Sequence, residues 1–231
     1  MSDEPRYAIY YSPPVEHPLT RVAVHWLGRD AFPSACGKLA SVVDDEASTI
    51  TTEPRRYGFH ATLKAPFRLA AGRQIDELEA DLDGFVAARR PCALGPLRVD
   101  LISGFLALVP MRPLPALRDF ASTIVETFDH FRAPLSDAEL RRRLDHGLDD
   151  IESAHVVRWG YPYVFDRFRF HMTLTDKLPH EARSTVRNRL EALFGAVTTE
   201  DYVIDALTLF EQERPGANFV VRRRFELNRN A

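Results

Sequence analysis

The chain has 231 residues, 30 basic and 33 acidic side chains, and a formal net charge of −3; 45% of it is apolar and 27% charged. Those proportions suit a globular protein that buries a substantial core, as one large domain or two small lobes. The charge balance gives no global footprint for a long polyanion such as DNA, so a nucleic-acid-like ligand is expected to be small or held in a local basic cleft.

Two cysteines, Cys36 and Cys92, lack metal or redox spacing and fit a reduced, cytoplasmic setting. Met1 to Arg6 carries no apolar signal region, and no apolar run approaches membrane-spanning length, so no membrane partner is expected.

In chain order, Arg6 to Ser12 predicts an opening strand stopped by Pro13-Pro14. His17 to Gly28 fits either a short amphipathic helix or a strand. Ser34 to Glu53 is small, polar and aperiodic, a loop with a short helix. Tyr57 to Leu69 predicts a strand, and Ile75, Leu78, Leu82 and Phe85 mark a helix from Gln74 to about Arg90, closed by Pro91. Leu97 to Ile102 and Phe105 to Val109 fit a hairpin through Ser103-Gly104.

The middle of the chain is different. Leu117, Phe120, Ile124 and Phe128 form one helical stripe within Pro115 to Phe131, and Ser136-Asp137-Ala138-Glu139 has the form of a capping box. Asp145 to Val157 is polar without a clear period. A second strand is expected over Val164 to Leu178, then a helix from Pro179 to Gly195 with Ala182, Val186, Leu190 and Leu193 as its buried stripe. Two strands follow, Tyr202 to Gln212 and Asn218 to Leu227, turning at Arg214-Pro215-Gly216.

The two central strands carry one motif twice: Phe59-His60-Ala61-Thr62-Leu63 and Phe170-His171-Met172-Thr173-Leu174, 111 positions apart. Alternation along a strand puts His60, Thr62 and Lys64 on one face, and Arg169, His171 and Thr173 on one face, with apolar residues opposite. Both halves then run motif strand, helix, strand, strand. An internal duplication is the economical reading: lobe one at about 1–113, a helical connecting segment at about 114–159, and lobe two at about 160–231. A pseudo-two-fold axis would set the histidines on opposite walls of one cleft.

That pairing suits phosphoryl chemistry. One neutral imidazole takes a proton from water while the other, protonated, supplies the leaving oxygen, and two threonine hydroxyls donate to the phosphate. The unperturbed histidine pKa of about 6.5 allows both forms. Neither strand offers a carboxylate at i+2 to complete a metal site, so no metal and no cofactor is expected. Tyr7, Tyr10, Tyr161 and Tyr163 are candidate walls for a sugar or base; Lys64, Arg169, Tyr7 and Tyr161 are taken as substrate-binding candidates. Arg222 and Arg224 either line the cleft or are solvated.

The paired His-x-Thr motifs resemble those of the 2H phosphoesterase superfamily. Their flanks, Arg56-Tyr57-Gly58-Phe59-His60 through Phe67, Trp159-Gly160-Tyr161-Pro162-Tyr163-Val164, and Phe168-Arg169-Phe170-His171 through Thr175, resemble the branch encoded in bacterial phosphonate-utilisation operons. The resemblance implies an α+β, bilobal fold with two antiparallel sheets flanking a cleft. It further implies metal-independent phosphodiester chemistry, with His60 and His171 as acid and base and Thr62 and Thr173 binding phosphate. The implied substrate is a small phosphorylated ribose, such as 5-phosphoribosyl 1,2-cyclic phosphate. RNA ends with 2′,3′-cyclic or 2′-5′ linkages are the alternative within the superfamily, and a non-catalytic phosphate-binding module is the alternative outside it.

Overall fold

A computed structural model describes residues 4–33, 45–145 and 147–231. The first part of the expected loop, 34–44 with Cys36, and His146 lie outside the described residues.

Strand β1 (Arg6–Tyr11) ends before Pro13-Pro14, as the missing donors of those prolines require. The ambiguous segment after it is helix α1 (Pro18–Leu27). His17 caps it by accepting from Leu19 N at 3.1 Å, and Gly28 closes it in the left-handed conformation. Trp26 anchors it by donating to Leu174 O at 2.7 Å.

Two short helices, α2 (Asp45–Thr49) and α3 (Thr52–Tyr57), precede β2 (Ala61–Phe67). The first motif strand therefore begins later than its composition suggests, at Ala61 instead of Tyr57, because Tyr57 closes α3. Helix α4 (Ile75–Ala87) leads to a strand missing from the sequence reading, β3 (Cys92–Gly95), and then to the hairpin β4 (Leu97–Ile102) and β5 (Phe105–Pro110).

Helices α5 (Pro115–Thr127), α6 (Asp137–Leu144) and α7 (Asp150–Trp159) follow. α6 starts on the expected Ser136–Glu139 capping box. α7 fills a region that shows no hydrophobic period, but Asp149 and Glu152 form a second capping box at its start. The second motif strand shrinks to β6 (Met172–Thr173), since a 3₁₀ turn at Phe165–Arg167 occupies the chain ahead of it. Helix α8 (Arg183–Phe194) and strands β7 (Tyr202–Ile204), β8 (Ala206–Gln212) and β9 (Val220–Glu226) complete the fold.

The architecture is α+β and antiparallel. Strands of both halves run through one sheet in the order β4-β5-β6-β2-β1-β8-β9, rather than through two sheets facing across a cleft, and β3 pairs with β7 in a second, two-stranded sheet. The halves interleave. The hairpin of the first half lies beside β6, the hairpin of the second beside β1, and β3 of the first half joins β7 of the second. Each half runs motif strand, helix and then three strands, one strand more than the expected order, because β3 went unread and Tyr202 to Gln212 divides into β7 and β8.

The main core lies on one face of the sheet, where Ile9, Tyr11, Ala61, Leu63, Leu108 and Met172 meet α1, α4, α5 and α8. A smaller cluster on the other face gathers Ala8, Tyr10, Ala31, Phe210, Phe219 and Val221. β1 is buried on both faces, so its residues alternate between two cores. Among the described residues, no helix is long and apolar enough to cross a membrane.

Candidate active site

β2 and β6 are neighbours, with Ala61 directly opposite Met172. Both of those side chains point into the main core, so the flanking residues point the other way. Antiparallel register through this pair sets His60 beside Thr173 and Thr62 beside His171. The four motif side chains thus occupy a square with the histidines on one diagonal, and diagonal positions on such a ladder are roughly 7–8 Å apart at the backbone. All four line one depression of about 380 Å³, together with Tyr10, Tyr57, Phe105 and Tyr161. The histidines immediately precede adjacent strands in the middle of one sheet, diagonal to each other, and not on opposite walls.

Each ring is held in the same way. His60 Nδ1–H donates to Gly58 O at 2.9 Å, and His171 Nδ1–H donates to Arg169 O at 2.8 Å. Each bond runs to the carbonyl two residues back and leaves Nε2 as the free nitrogen of the neutral ring. Thr62 Oγ1 stands 3.4 Å from His60 Nε2.

Gly58 reaches its position because it adopts φ +79°, ψ 176°, and because a Cβ there would stand 2.5 Å from Ala31 Cβ. Only glycine is comfortable on both counts. Asp176, past the second motif, fixes the helix that delivers Gly58: its two carboxylate oxygens accept from Thr52 N and Glu53 N, both at 2.8 Å, at the start of α3. The second motif strand thereby helps to orient the histidine of the first.

His60 packs flat against Tyr10, ring centroids 3.9 Å apart at 25°, with Tyr57 and Phe210 at 5.9 and 6.1 Å. His171 has Phe105 at 5.6 Å. Burial pushes the His60 pKa down to about 4; the Gly58 carbonyl opposes that fall, and the nearby His171 adds to it. Burial also lowers His171, with the Arg169 carbonyl opposing. Both rings are thus held neutral near pH 7 in the ligand-free protein.

The substrate-binding candidates separate. Tyr161 lines the depression, and burial raises its hydroxyl to about 12. Tyr7 does not: it is 5% exposed, lies opposite Phe67 and belongs to the main core. Tyr10, further along β1 and on the other face, pairs with Thr62 and takes the role expected of Tyr7. Counting parity back from Thr62 across the β1–β2 register identifies it.

Lys64 is also turned away from the site. The strand does not stay regular: Tyr10 faces Thr62 but Ile9 faces Lys64, a bulge that flips the parity after Leu63. Lys64 Nζ instead donates to Val125 O at 3.2 Å and Asp129 Oδ1 at 3.0 Å beside α5, and burial lowers its pKa to about 8 against the opposing pull of Asp129. Arg169 is exposed and borders a separate depression near β4 and Phe168, so its carbonyl, not its guanidinium, serves the site. Arg222 and Arg224 are tied to carboxylates, Arg222 to Glu79 and Glu211 and Arg224 to Asp205. Among the described residues, no three or more His, Cys, Asp or Glu side chains gather as a metal set would.

Residues 62–220 match a family described as a protein of unknown function, DUF1045. A protein of Janthinobacterium sp. (strain Marseille) named ribose 1,5-bisphosphate phosphokinase PhnN is 41% identical over 222 residues, covering 93% of this chain and 49% of the relative. A protein of the same name from Laribacter hongkongensis (strain HLHK9) is 34% identical over 215 residues, covering 93% and 50%. The chain therefore spans about half the length of the curated relatives it matches. Similar solved structures include E. coli LigT complexed with NADP+ (TM-score 0.44, 16% identity, 98% of this chain and 99% of that one) and with 3′-AMP (0.45, 15%, 98% and 99%). A structure described as a phosphoesterase has a TM-score of 0.43 at 13% identity, covering 96% and 98%.

Proposed function

The chain belongs to the DUF1045 family, and we propose that it is a metal-independent phosphodiesterase that opens a small ribose cyclic phosphate by two-histidine acid–base catalysis. One observation carries the reading: two histidines and two threonines, from motifs remote in sequence, converge on one depression with both rings locked to expose Nε2. Binding alone has no use for a matched pair of proton carriers.

In the proposed step a water oxygen attacks phosphorus and the bond to one ring oxygen breaks. His60, the ring whose pKa lies far below the ordinary value, takes the proton from water. His171 enters protonated, its charge favoured by the bound anion, and gives its proton to the departing oxygen. Thr62 and Thr173 donate to the non-bridging oxygens, and the product is a phosphomonoester. The two imidazoles supply both proton transfers, so the scheme needs no metal-bound water.

The relatives' name supports a phosphorylated ribose as the substrate class, and 5-phosphoribosyl 1,2-cyclic phosphate formed in phosphonate breakdown is the candidate. That name also favours a second reading, phosphoryl transfer to ribose 1,5-bisphosphate, although no Gly-x-x-x-x-Gly-Lys-Ser/Thr run occurs in this chain. The test is phosphorus NMR in excess chelator on 5-phosphoribosyl 1,2-cyclic phosphate and the four 2′,3′-cyclic nucleotides, with ATP plus ribose 1,5-bisphosphate and Mg²⁺ as a separate arm. Ring opening of the ribosyl compound, lost in His60→Ala and in His171→Ala, is expected. Opening of the nucleotides alone would move the function to RNA ends, and turnover only in the ATP arm would overturn the hydrolase reading.

A further inference from the structure

Two depressions that share Arg6 adjoin the histidine depression, one at Tyr57 bordered also by Arg56 and Arg142 and one at Tyr161 bordered also by Arg143, and together they make a basic recess. Many arginines elsewhere among the described residues meet a carboxylate: Arg132 meets Asp129, Arg167 meets Asp149 and Arg223 meets Asp83, at 2.7–2.8 Å. Arg6, Arg142 and Arg143 form no ion pair among the described residues. Arg6 Nε donates to the neutral Gln212 Oε1 at 2.8 Å, Arg143 donates to Gly160 O, and Arg142 stands exposed. The two acids bordering the recess, Glu4 and Glu139, are both committed to Arg68; Glu139 takes two hydrogen bonds from it, at 2.7 and 2.8 Å, while also capping α6. Arg56 is paired through Nη2 with Glu53 at 2.7 Å, and its buried Nε has no partner.

Crowding like charges in a half-buried recess is unfavourable unless an anion completes it. Arg143 feels the crowding: burial, and then the charges of Arg6 and Arg142, oppose its ionised form, while the charge of Glu139 partly offsets them. Guanidinium forks match the oxygens of a phosphate dianion. The recess touches the histidine depression at two tyrosines, and Arg6 lies near enough to act electrostatically on Tyr10, the ring stacked on His60.

We propose that Arg6, Arg142 and Arg143 form a second phosphate subsite, which takes the phosphomonoester of a sugar phosphate whose other end lies at the histidines. The subsite selects substrates with two phosphates over simple cyclic phosphates; its placement relative to the reacting bond rests on the hydrolase reading, but its existence does not.

Calorimetric titration with ribose 5-phosphate, ribose and inorganic phosphate tests it without turnover. Ribose 5-phosphate is expected to bind wild type and His171→Ala within about threefold of each other, and to bind at least tenfold more weakly to Arg142→Ala and to Arg6→Gln. Ribose should not bind, and inorganic phosphate should bind at least tenfold more weakly than ribose 5-phosphate. Arg142→Ala changes an exposed side chain, so the test survives if the Arg6 variant fails to fold. Unchanged ribose 5-phosphate affinity in Arg142→Ala, or no saturable binding to wild type, overturns the subsite; equal binding of inorganic phosphate overturns its sugar-phosphate selectivity. Arginine-dependent binding by a protein that opens no cyclic phosphate upholds the subsite and sinks the hydrolase reading instead.

Discussion

His60 should resist protonation until the solution is markedly acidic, and the folded protein should lose stability as that resistance is tested. The ring is stacked on Tyr10 and bonded through Nδ1 to a carbonyl, and burial lowers its pKa from 6.5 to about 4. At 1.36 kcal/mol per tenfold change in affinity, the fold withholds about 3 kcal/mol from the protonated form. The sign follows from linkage. Between pH 6.5 and 4 the unfolded chain carries the proton and the folded chain does not, so the contribution is intact above 6.5 and is lost as pH falls through that window. By pH 4.5 the loss is about 2.5 kcal/mol. The assay is urea unfolding of wild type and His60→Gln at pH 7 and pH 4.5. Glutamine cannot take the proton, so wild type should lose about 2 kcal/mol more than the variant between the two pH values. NMR of ring-labelled protein should place the His60 midpoint near 4. A midpoint at 6 or above in the ligand-free protein would refute the burial account.

Three further outcomes follow from the geometry. With a cyclic phosphodiester that has no second ionisation in the range, kcat/KM should rise as His60 loses its proton near pH 4 and fall as His171 loses its own below 6.5, an acid-shifted bell; a plateau extending past pH 7 would contradict the assignment of base and acid. Gly58→Ala, forced against Ala31 at φ +79°, should cost about 1–3 kcal/mol in thermal unfolding and lower kcat, with the His60 ring signals displaced, because the carbonyl that fixes the ring moves; unaltered ring signals with reduced kcat would point elsewhere. Lys64→Met should leave KM within about twofold in steady-state kinetics, since Asp129 keeps Arg132 as its partner; a KM rise of tenfold or more would restore Lys64 to the site.

Much of this arrangement was legible in the amino-acid order. The repeated His-x-Thr, its strand composition and the alternation of faces determine that His60 goes with Thr62 and His171 with Thr173, because period two is a local property of extended backbone. The capping box at Ser136 marks its helix start for an equally local reason, whereas His17 to Gly28 fits helix or strand equally well until Gly28 is seen to close α1. α7 fell within the expected helical segment at about 114–159, but its own bounds went unread because its first turn is polar and its one buried residue, Val156, leaves no stripe; the Asp149–Glu152 box was the available signal.

Tertiary structure decided what lies beyond one strand. Whether Lys64 shares the histidine face depends on a bulge set by pairing with β1, and whether Tyr7 or Tyr10 meets the site depends on register across that same pair. The meeting of the two motifs on neighbouring strands, Ala61 against Met172, is a contact between segments remote in sequence, and it interleaves the two halves in one sheet. The basic recess gathers Arg6 from the first strand with Arg142 and Arg143 from a helix beyond the middle of the chain, three arginines that form no ion pair among the described residues. Side-chain chemistry and local period are written in the chain one residue at a time. Register, bulge and charge pairing are set by which distant segments bury each other, and only the packed molecule decides them.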